Sequence, residues 1–173
     1  MKAIVAAACL LFAPISSASD YQHALSAGAG FGDTKASADH SSDSQAHYDL
    51  AYRYQFTSEW GVEVGYMQQE PVFRVSNQQT DIDSFRASAL YTLPLSKRNR
   101  LVFKLGINHT KMNSSDIQSN SGGRFSSNDT GLLAGLGWRV EFASGMDLGL
   151  TYHYQAMDIL DIQTMTFALG YRF

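Results

Sequence analysis

The chain contains 173 residues, of which 45% are hydrophobic, and it carries a formal net charge of −3. This length fits one domain, and the negative charge argues against a nucleic-acid partner, because such a partner would require a basic patch. The single cysteine, Cys9, lies in the first segment of the chain. The folded domain is therefore expected to contain no disulfide and no thiol for metal or nucleophilic chemistry.

The N-terminal segment has the pattern of a secretory signal peptide. It contains the basic residue Lys2, an apolar run over residues 3–15, and then the small residues Ser16 and Ala18. The apolar run is shorter than the ~20 residues that a membrane-spanning helix needs. We predict cleavage after Ala18, with residues 1–18 as the signal peptide and residues 19–173 as the folded domain.

The rest of the chain alternates large apolar residues with small or polar ones, a period of two that is typical of β-strands. In chain order we predict strands at residues 21–32, 46–56, 60–68, 83–93, 100–112, 129–142 and 146–155, and an eighth strand after residue 163. Short turns follow the second, fourth and sixth strands, whereas the polar segments 33–45, 69–82, 113–128 and 156–163 follow the others. This alternation of long and short connections predicts an up-and-down antiparallel sheet with its short turns at one end.

The two faces of the predicted strands differ in chemistry. In the second strand, Tyr48, Leu50 and Tyr52 share one face, whereas Asp49 and Arg53 lie on the other. Glycine, serine, threonine and charged residues are expected opposite the large apolar residues in every strand. A soluble barrel of the lipocalin type is disfavoured, because it would enclose a large apolar interior. An apolar outside and a polar inside predict an all-β fold, an eight-stranded antiparallel up-and-down transmembrane β-barrel.

Several stretches resemble the small OmpA/OmpX-type and opacity-type outer-membrane proteins, and the resemblance covers the whole chain after the signal peptide. They are Phe56-Thr-Ser-Glu-Trp-Gly-Val-Glu-Val-Gly-Tyr66, Gly135-Leu-Gly-Trp-Arg-Val140, Leu148-Gly-Leu-Thr-Tyr-His-Tyr154 and Thr166-Phe-Ala-Leu-Gly-Tyr-Arg-Phe173. The resemblance implies a place in the outer membrane of a Gram-negative bacterium, in contact with lipid and lipopolysaccharide. Short turns would face the periplasm and long loops the cell exterior.

The last strand resembles the signal that the barrel assembly machinery reads. The residues that would carry this assembly signal are Met165, Phe167, Leu169, Tyr171 and Phe173. We expect a monomer, and we expect no peptidoglycan-binding domain of the kind that larger family members carry, since no residue follows Phe173.

The inward face of the strands contains a set of ionisable residues that we predict to form an interior charge network. Its members are Asp49, Arg53, Glu63, Arg86, Lys104, Arg139, Glu141, Asp147, His153 and Arg172. Counted from the short turns, Arg53 should lie opposite Glu63, where opposite charges attract, and Glu141 should lie opposite Asp147. The second pair would need cations between its carboxylates, and Arg139, Lys104 and Arg172 are the candidates.

The interior network permits two interpretations. Because eight strands leave room only for side chains, a self-neutralising plug is favoured over a gated path for small solutes. Some barrels of this size deacylate lipid A, and the His153 segment is similar to theirs. Those enzymes have a serine two residues after the histidine, whereas this chain has Gln155, which cannot act as a nucleophile. We therefore predict no catalytic residue, no enzyme activity and no cofactor.

The long segments are predicted to carry the function. They contain more acidic than basic residues, but these are scattered without the spacing of metal ligands, so we predict no metal site. Apolar residues interrupt two of the polar segments, and Phe73, Arg74, Ile159 and Leu160 are the candidates for contact with another surface. We predict a structural or surface-interaction role similar to adhesion, with a host or other extracellular ligand as the possible partner. A minor small-solute pore and, after it, a lipid A-modifying hydrolase are the alternatives.

Overall fold

The computed structural model describes residues 22–36, 42–71, 78–116, 124–157 and 160–173. Within these residues, eight strands each pair antiparallel with the next, and β1 pairs with β8 to close the barrel. The strands are β1 His23–Ala36, β2 Ser42–Gln55, β3 Trp60–Pro71, β4 Gln78–Pro94, β5 Asn99–Asp116, β6 Arg124–Glu141, β7 Met146–Ala156 and β8 Leu160–Arg172. The predicted fold, an eight-stranded antiparallel up-and-down barrel, is confirmed.

The two ends of the barrel differ. At one end, which we call the turn end, residues 56–59, 95–98 and 142–145 connect neighbouring strands. Gly145 has a φ of 86° in the third of these turns, a left-handed conformation that glycine adopts without steric cost. At the opposite end, the loop end, β1 and β2, β3 and β4, β5 and β6, and β7 and β8 are joined. The predicted alternation of the connections therefore places all short turns together.

The strands extend further towards the loop end than the sequence predicts. Residues 33–36, 42–45, 69–71, 78–82, 113–116, 124–128 and 160–163 were expected in loops but belong to strands. An antiparallel ladder requires only paired backbone groups. Apolar alternation is required only where one face contacts a nonpolar medium, so polar strand segments give no period-two signal. Leu160, predicted as a loop residue, is instead the first residue of β8 and lies opposite Ala36.

The outer surface of the barrel is apolar. Phe31, Leu105 and Leu132 are 69%, 67% and 67% exposed, and aromatic and aliphatic side chains cover the outward face of the described strands. A soluble monomer rarely exposes a continuous apolar surface of this extent. The outward face is therefore suited to contact with hydrocarbon, as the strand alternation predicts.

The interior is less uniformly polar than expected. Met67, Leu90, Val102 and Leu133 are all no more than 2% exposed and point inward. The expectation that only glycine, serine, threonine and charged residues line the interior is wrong at these positions. Eight strands leave a lumen that side chains must fill, and an apolar side chain fills space without requiring a hydrogen-bond partner.

Candidate functional site in the barrel interior

Four ionisable side chains from four neighbouring strands form the centre of the interior. The Arg86 guanidinium donates to both carboxylate oxygens of Asp49, with Nη2 2.9 Å from Oδ1, and Nη2 lies 3.5 Å from Glu63 Oε1. Lys104 Nζ donates to Glu63 Oε1 and Oε2 at 2.8 and 3.0 Å. All four residues are at most 9% exposed. Each buried charge therefore has an opposite charge beside it, which offsets much of its desolvation cost.

A glycine on β3 allows these contacts to form. Gly65 lies opposite Arg86 in the ladder. A Cβ atom at position 65 would lie 2.6 Å from Arg86 Cζ and 2.8 Å from Nη2. The guanidinium therefore crosses over the β3 backbone to reach Asp49 on β2, and only a residue without a side chain leaves this path open.

The register places Arg53 opposite Glu63, as the sequence predicts. Their side chains nevertheless have other partners. Arg53 Nη2 donates to Asp147 Oδ2 on β7 at 2.9 Å, whereas Glu63 accepts from Lys104. In a narrow lumen, a long side chain can reach a distant strand as readily as its ladder neighbour. Ladder position alone therefore does not determine the ion pair.

The second predicted pair, Glu141 and Asp147, also lies opposite in the ladder. Arg172 lies between the two carboxylates, with Nη1 3.3 Å from Glu141 Oε2 and Nε 4.0 Å from Asp147 Oδ2. Arg139 Nη1 is 3.9 Å from Glu141 Oε1. Lys104, the third candidate cation, is instead bonded to Glu63.

Sequence reasoning missed Arg100. We assigned it to the strand that begins there without including it in the network, but its Nε lies 3.3 Å from Glu141 Oε2. Arg100 has the same parity as the inward residues Val102 and Lys104. That parity was the available signal.

The two interior histidines are buried. His153, predicted for the network, is 2% exposed. His47, which we did not include, has Nε2 2.8 Å from Thr166 Oγ1. Gln155 accepts a hydrogen bond from Asn108 Nδ2 at 2.6 Å inside the barrel. The His153 and Gln155 side chains are thus enclosed by the strands and separated from the apolar outer face.

The other predicted sites lie elsewhere. Phe73, Arg74 and Ile159 fall outside the described residues. The proposed assembly-signal residues all have exposed side chains on the outer face of β8 and just after it; they are Met165, Phe167, Leu169, Tyr171 and Phe173.

Among the described residues, no group of three or more His, Cys, Asp or Glu side chains could hold a metal ion. No helix in the described part of the chain is long and apolar enough to cross a membrane.

A sequence model of a protein family, described as the outer membrane protein beta-barrel domain, matches residues 3–173. The chain belongs to this family. No curated protein matched the sequence. The family is that of Gram-negative outer-membrane barrels, so the apolar face of the strands contacts the outer membrane. In such barrels short turns face the periplasm and longer loops face outward, so we expect the turn end on the periplasmic side and the loop end on the extracellular side.

Solved structures of this architecture are similar over nearly their whole length. Ail, the attachment invasion locus protein of Yersinia pestis, is 24% identical; the match covers 87% of this chain and 97% of Ail with a TM-score of 0.67. Neisserial surface protein A is 13% identical, over 88% of this chain and 97% of that protein, with a TM-score of 0.74. The outer membrane enzyme PagL is 16% identical, over 87% and 99%, with a TM-score of 0.51. At these identities the likeness shows the fold alone. The similar structures include both surface proteins and an enzyme.

Proposed function

We propose that this outer-membrane barrel anchors a surface-binding structure, and that the loop end contacts an extracellular partner. The observation that carries the proposal is the length of the strands. β4, β5 and β6 contain 17, 18 and 18 residues, whereas a tilted strand needs only ~9–11 to cross a bilayer. The additional residues lie at the loop end, so paired strands continue beyond the hydrocarbon and form a rigid support for the loops.

The charge of the loop end restricts the kind of partner. Acidic residues outnumber basic ones in the segments around this end; the acidic residues are Asp33, Asp39, Asp43, Glu70, Asp81, Asp116, Asp158 and Asp161, and the basic ones are Lys35, Arg74 and Arg124. A structure of Ail contains the heparin analogue sucrose octasulfate. Like charges repel across an interface. We therefore expect the partner of this protein to be neutral or basic rather than a sulfated polysaccharide.

The interior supports an anchor over a pore. The network of Asp49, Glu63, Arg86 and Lys104 links the four neighbouring strands β2 to β5 inside the lumen, and the cavity within this region measures about 40 Å³. A cavity needs about 10–15 Å³ of this kind to hold one water, so the cavity takes a few waters at most, which supports a plug over a path for solutes. We expect no conductance in a planar bilayer, with charge reversal at Glu63 or Arg139 as the test of whether the network blocks a path.

The position of His153 supports a function without catalysis. A lipid A hydrolase must bring its nucleophile and base to a substrate in the membrane, but His153 is 2% exposed and lies inside the barrel. Gln155 also points inward, and its amide oxygen accepts from Asn108. Hydrolysis of lipid A by this protein is therefore not expected.

Cell binding tests the proposed function. The protein is expressed in a non-adherent Gram-negative strain, and binding to cultured cells and to immobilised matrix proteins is measured. Replacing residues 72–77, or replacing residues 158–159, should reduce binding when the variants and the parent are expressed at the surface in equal amounts. The control variant Arg98→Gln, at the periplasmic end, should bind as the parent does. Equal binding by the loop variants and the parent would contradict the proposal.

We also propose that the chain is exported through cleavage after Ala18, assembled by the barrel machinery and retained as a monomer. The mature protein should then begin at Ser19. Its exposed outward residues, such as Phe167 and Leu169, would contact lipid and lipopolysaccharide rather than a second barrel. N-terminal sequencing and the mass of the purified protein in detergent measure these two properties. A dimer, or a retained signal segment, would contradict them.

A further inference from the structure

A cavity of about 360 Å³ opens at the turn end of the barrel. This volume lies within the range of small-molecule sites, ~300–1,000 Å³. The guanidinium-bearing residues Arg53, Arg100, Arg139 and Arg172 line it, together with Glu141. The cavity is therefore large enough for a small solute and is rich in cationic groups.

The cations of the cavity outnumber its anions. Among the described residues, the carboxylates within 4.0 Å of these arginines belong to Glu141 and Asp147. Arg100 and Arg172 both approach the same Glu141 oxygen at 3.3 Å. Arg53 forms an ion pair with Asp147. Within the described residues, four guanidinium groups thus approach two carboxylates.

Arg139 carries the least satisfied of these charges. It is 6% exposed, and its closest carboxylate oxygen is 3.9 Å away. In the part of the chain that the structure describes, its guanidinium donates no hydrogen bond within ordinary distance, although it has five N–H donors. A buried cation without a close partner is costly. An anion with several oxygen atoms, entering the cavity that Arg139 lines, would supply the missing acceptors.

We propose that this cavity is a binding site for a phosphate-bearing small solute of the periplasm. Arginine pairs with phosphate through parallel N–H···O bonds, and several arginines around one cavity can hold a multivalent oxyanion. All four arginines lie on the inward face, so the strands separate them from the headgroups of the surrounding lipid. The site is therefore assigned to a dissolved phosphate compound rather than to a membrane lipid. The site lies at the opposite end from the surface that we propose for extracellular contact, and neither proposal depends on the other.

Pyrophosphate is the probe that tests the site. Calorimetric titration into the folded full-length protein in neutral detergent should give saturable binding at one site. Arg139→Gln should weaken this binding by about tenfold, the loss of one charge-assisted contact. The matched control is Arg98→Gln, which removes an arginine from the adjacent exposed turn that does not line the cavity, and it should leave affinity unchanged within about twofold.

Thermal unfolding gives an independent measurement. Ligand that binds only the folded barrel raises its melting temperature, so pyrophosphate should raise that of the parent and of Arg98→Gln equally and should raise that of Arg139→Gln by less at the same concentration. If Arg139→Gln does not fold, Arg100→Gln at the more exposed rim replaces it, with the same expectation. Phosphatidylglycerol added to the micelles should not compete with pyrophosphate.

Three results would overturn the assignment. The parent could fail to bind pyrophosphate saturably, Arg98→Gln could lose as much affinity as Arg139→Gln, or sodium chloride at matched ionic strength could stabilise the parent as much as pyrophosphate does. Competition by phosphatidylglycerol would transfer the site to lipid headgroups and would contradict the proposal of a dissolved solute.

Discussion

The ion pair between Glu63 and Lys104 offers a direct test of the interior network. Both hydrogen bonds of the Lys104 ammonium to a carboxylate are made with Glu63, at 2.8 and 3.0 Å, and both residues are buried. Glu63→Gln would leave the Lys104 charge in the lumen without its partner. Breaking a buried pair in this way should lower the free energy of unfolding by about 3–5 kcal/mol.

Substitution of the other partner, Lys104, should lower the free energy of unfolding by less. In Lys104→Met the Glu63 carboxylate keeps Arg86, whose Nη2 is 3.5 Å away. The double variant removes both charges of the pair. Arg86, which also contacts Glu63, still has Asp49 as its partner, so no buried charge is left without compensation. Replacing both partners of a buried pair is often close to neutral, so the double variant should be destabilised by about 2 kcal/mol less than the sum of the single variants.

Reversible urea unfolding in phospholipid vesicles measures these free energies, with the fluorescence of Trp60 and Trp138 as the signal. The comparison requires the parent, both single variants and the double variant. Single effects that add to within about 0.5 kcal/mol would refute direct coupling of the two side chains. A fully tolerated Glu63→Gln would show that water, rather than Glu63, compensates the Lys104 charge.

The remaining predictions concern the outer face, a glycine and the closed barrel. Leu105→Arg places a charge near mid-bilayer at a 67% exposed position and should cost ~2–4 kcal/mol of unfolding free energy in vesicles. The control Leu93→Arg, near the turn end, should cost ~0–1 kcal/mol. Equal costs for the two variants would contradict the assigned depth. Gly65→Ala should destabilise the barrel by about 1–3 kcal/mol by displacing Arg86, whereas a Cβ at Gly149 meets its nearest atom at 4.0 Å, so Gly149→Ala should be tolerated in the same unfolding assay. Unboiled protein in detergent should migrate differently from boiled protein on a gel, because a closed antiparallel barrel leaves no free edge from which to unfold; identical migration would count against a stable closed barrel.

The facing of the residues could be predicted because it depends on covalent geometry. Successive side chains of a strand point in opposite directions, so the parity of Leu50 and Asp49 separates outside from inside without any tertiary information. The turns at residues 56–59 and 142–145 also set the register. Counting back from them correctly placed Arg53 opposite Glu63 and Glu141 opposite Asp147.

Two features of the strands and the interior were not predictable in this way. The strand extensions at the loop end carry polar residues on both faces, so their composition predicts a loop. They are identified as strands by their backbone pairing in the folded structure. Leu90 and Leu133 have inward parity but were not included in the predicted interior. Whether an inward position is filled by an apolar or a charged side chain depends on which neighbours could satisfy a charge there.

The sequence by itself thus determines the barrel, the facing of its residues and the ladder neighbours, because each follows from a local repeat. Only the closed tertiary structure decides that Arg53 bonds to Asp147 on β7, that Gly65 lets Arg86 reach Asp49, and that Arg100 and Arg139 meet in one cavity. Closure brings strands that are distant in the chain to within one side-chain length across the lumen. A charge there pairs with the nearest opposite charge in space, whatever its separation along the chain.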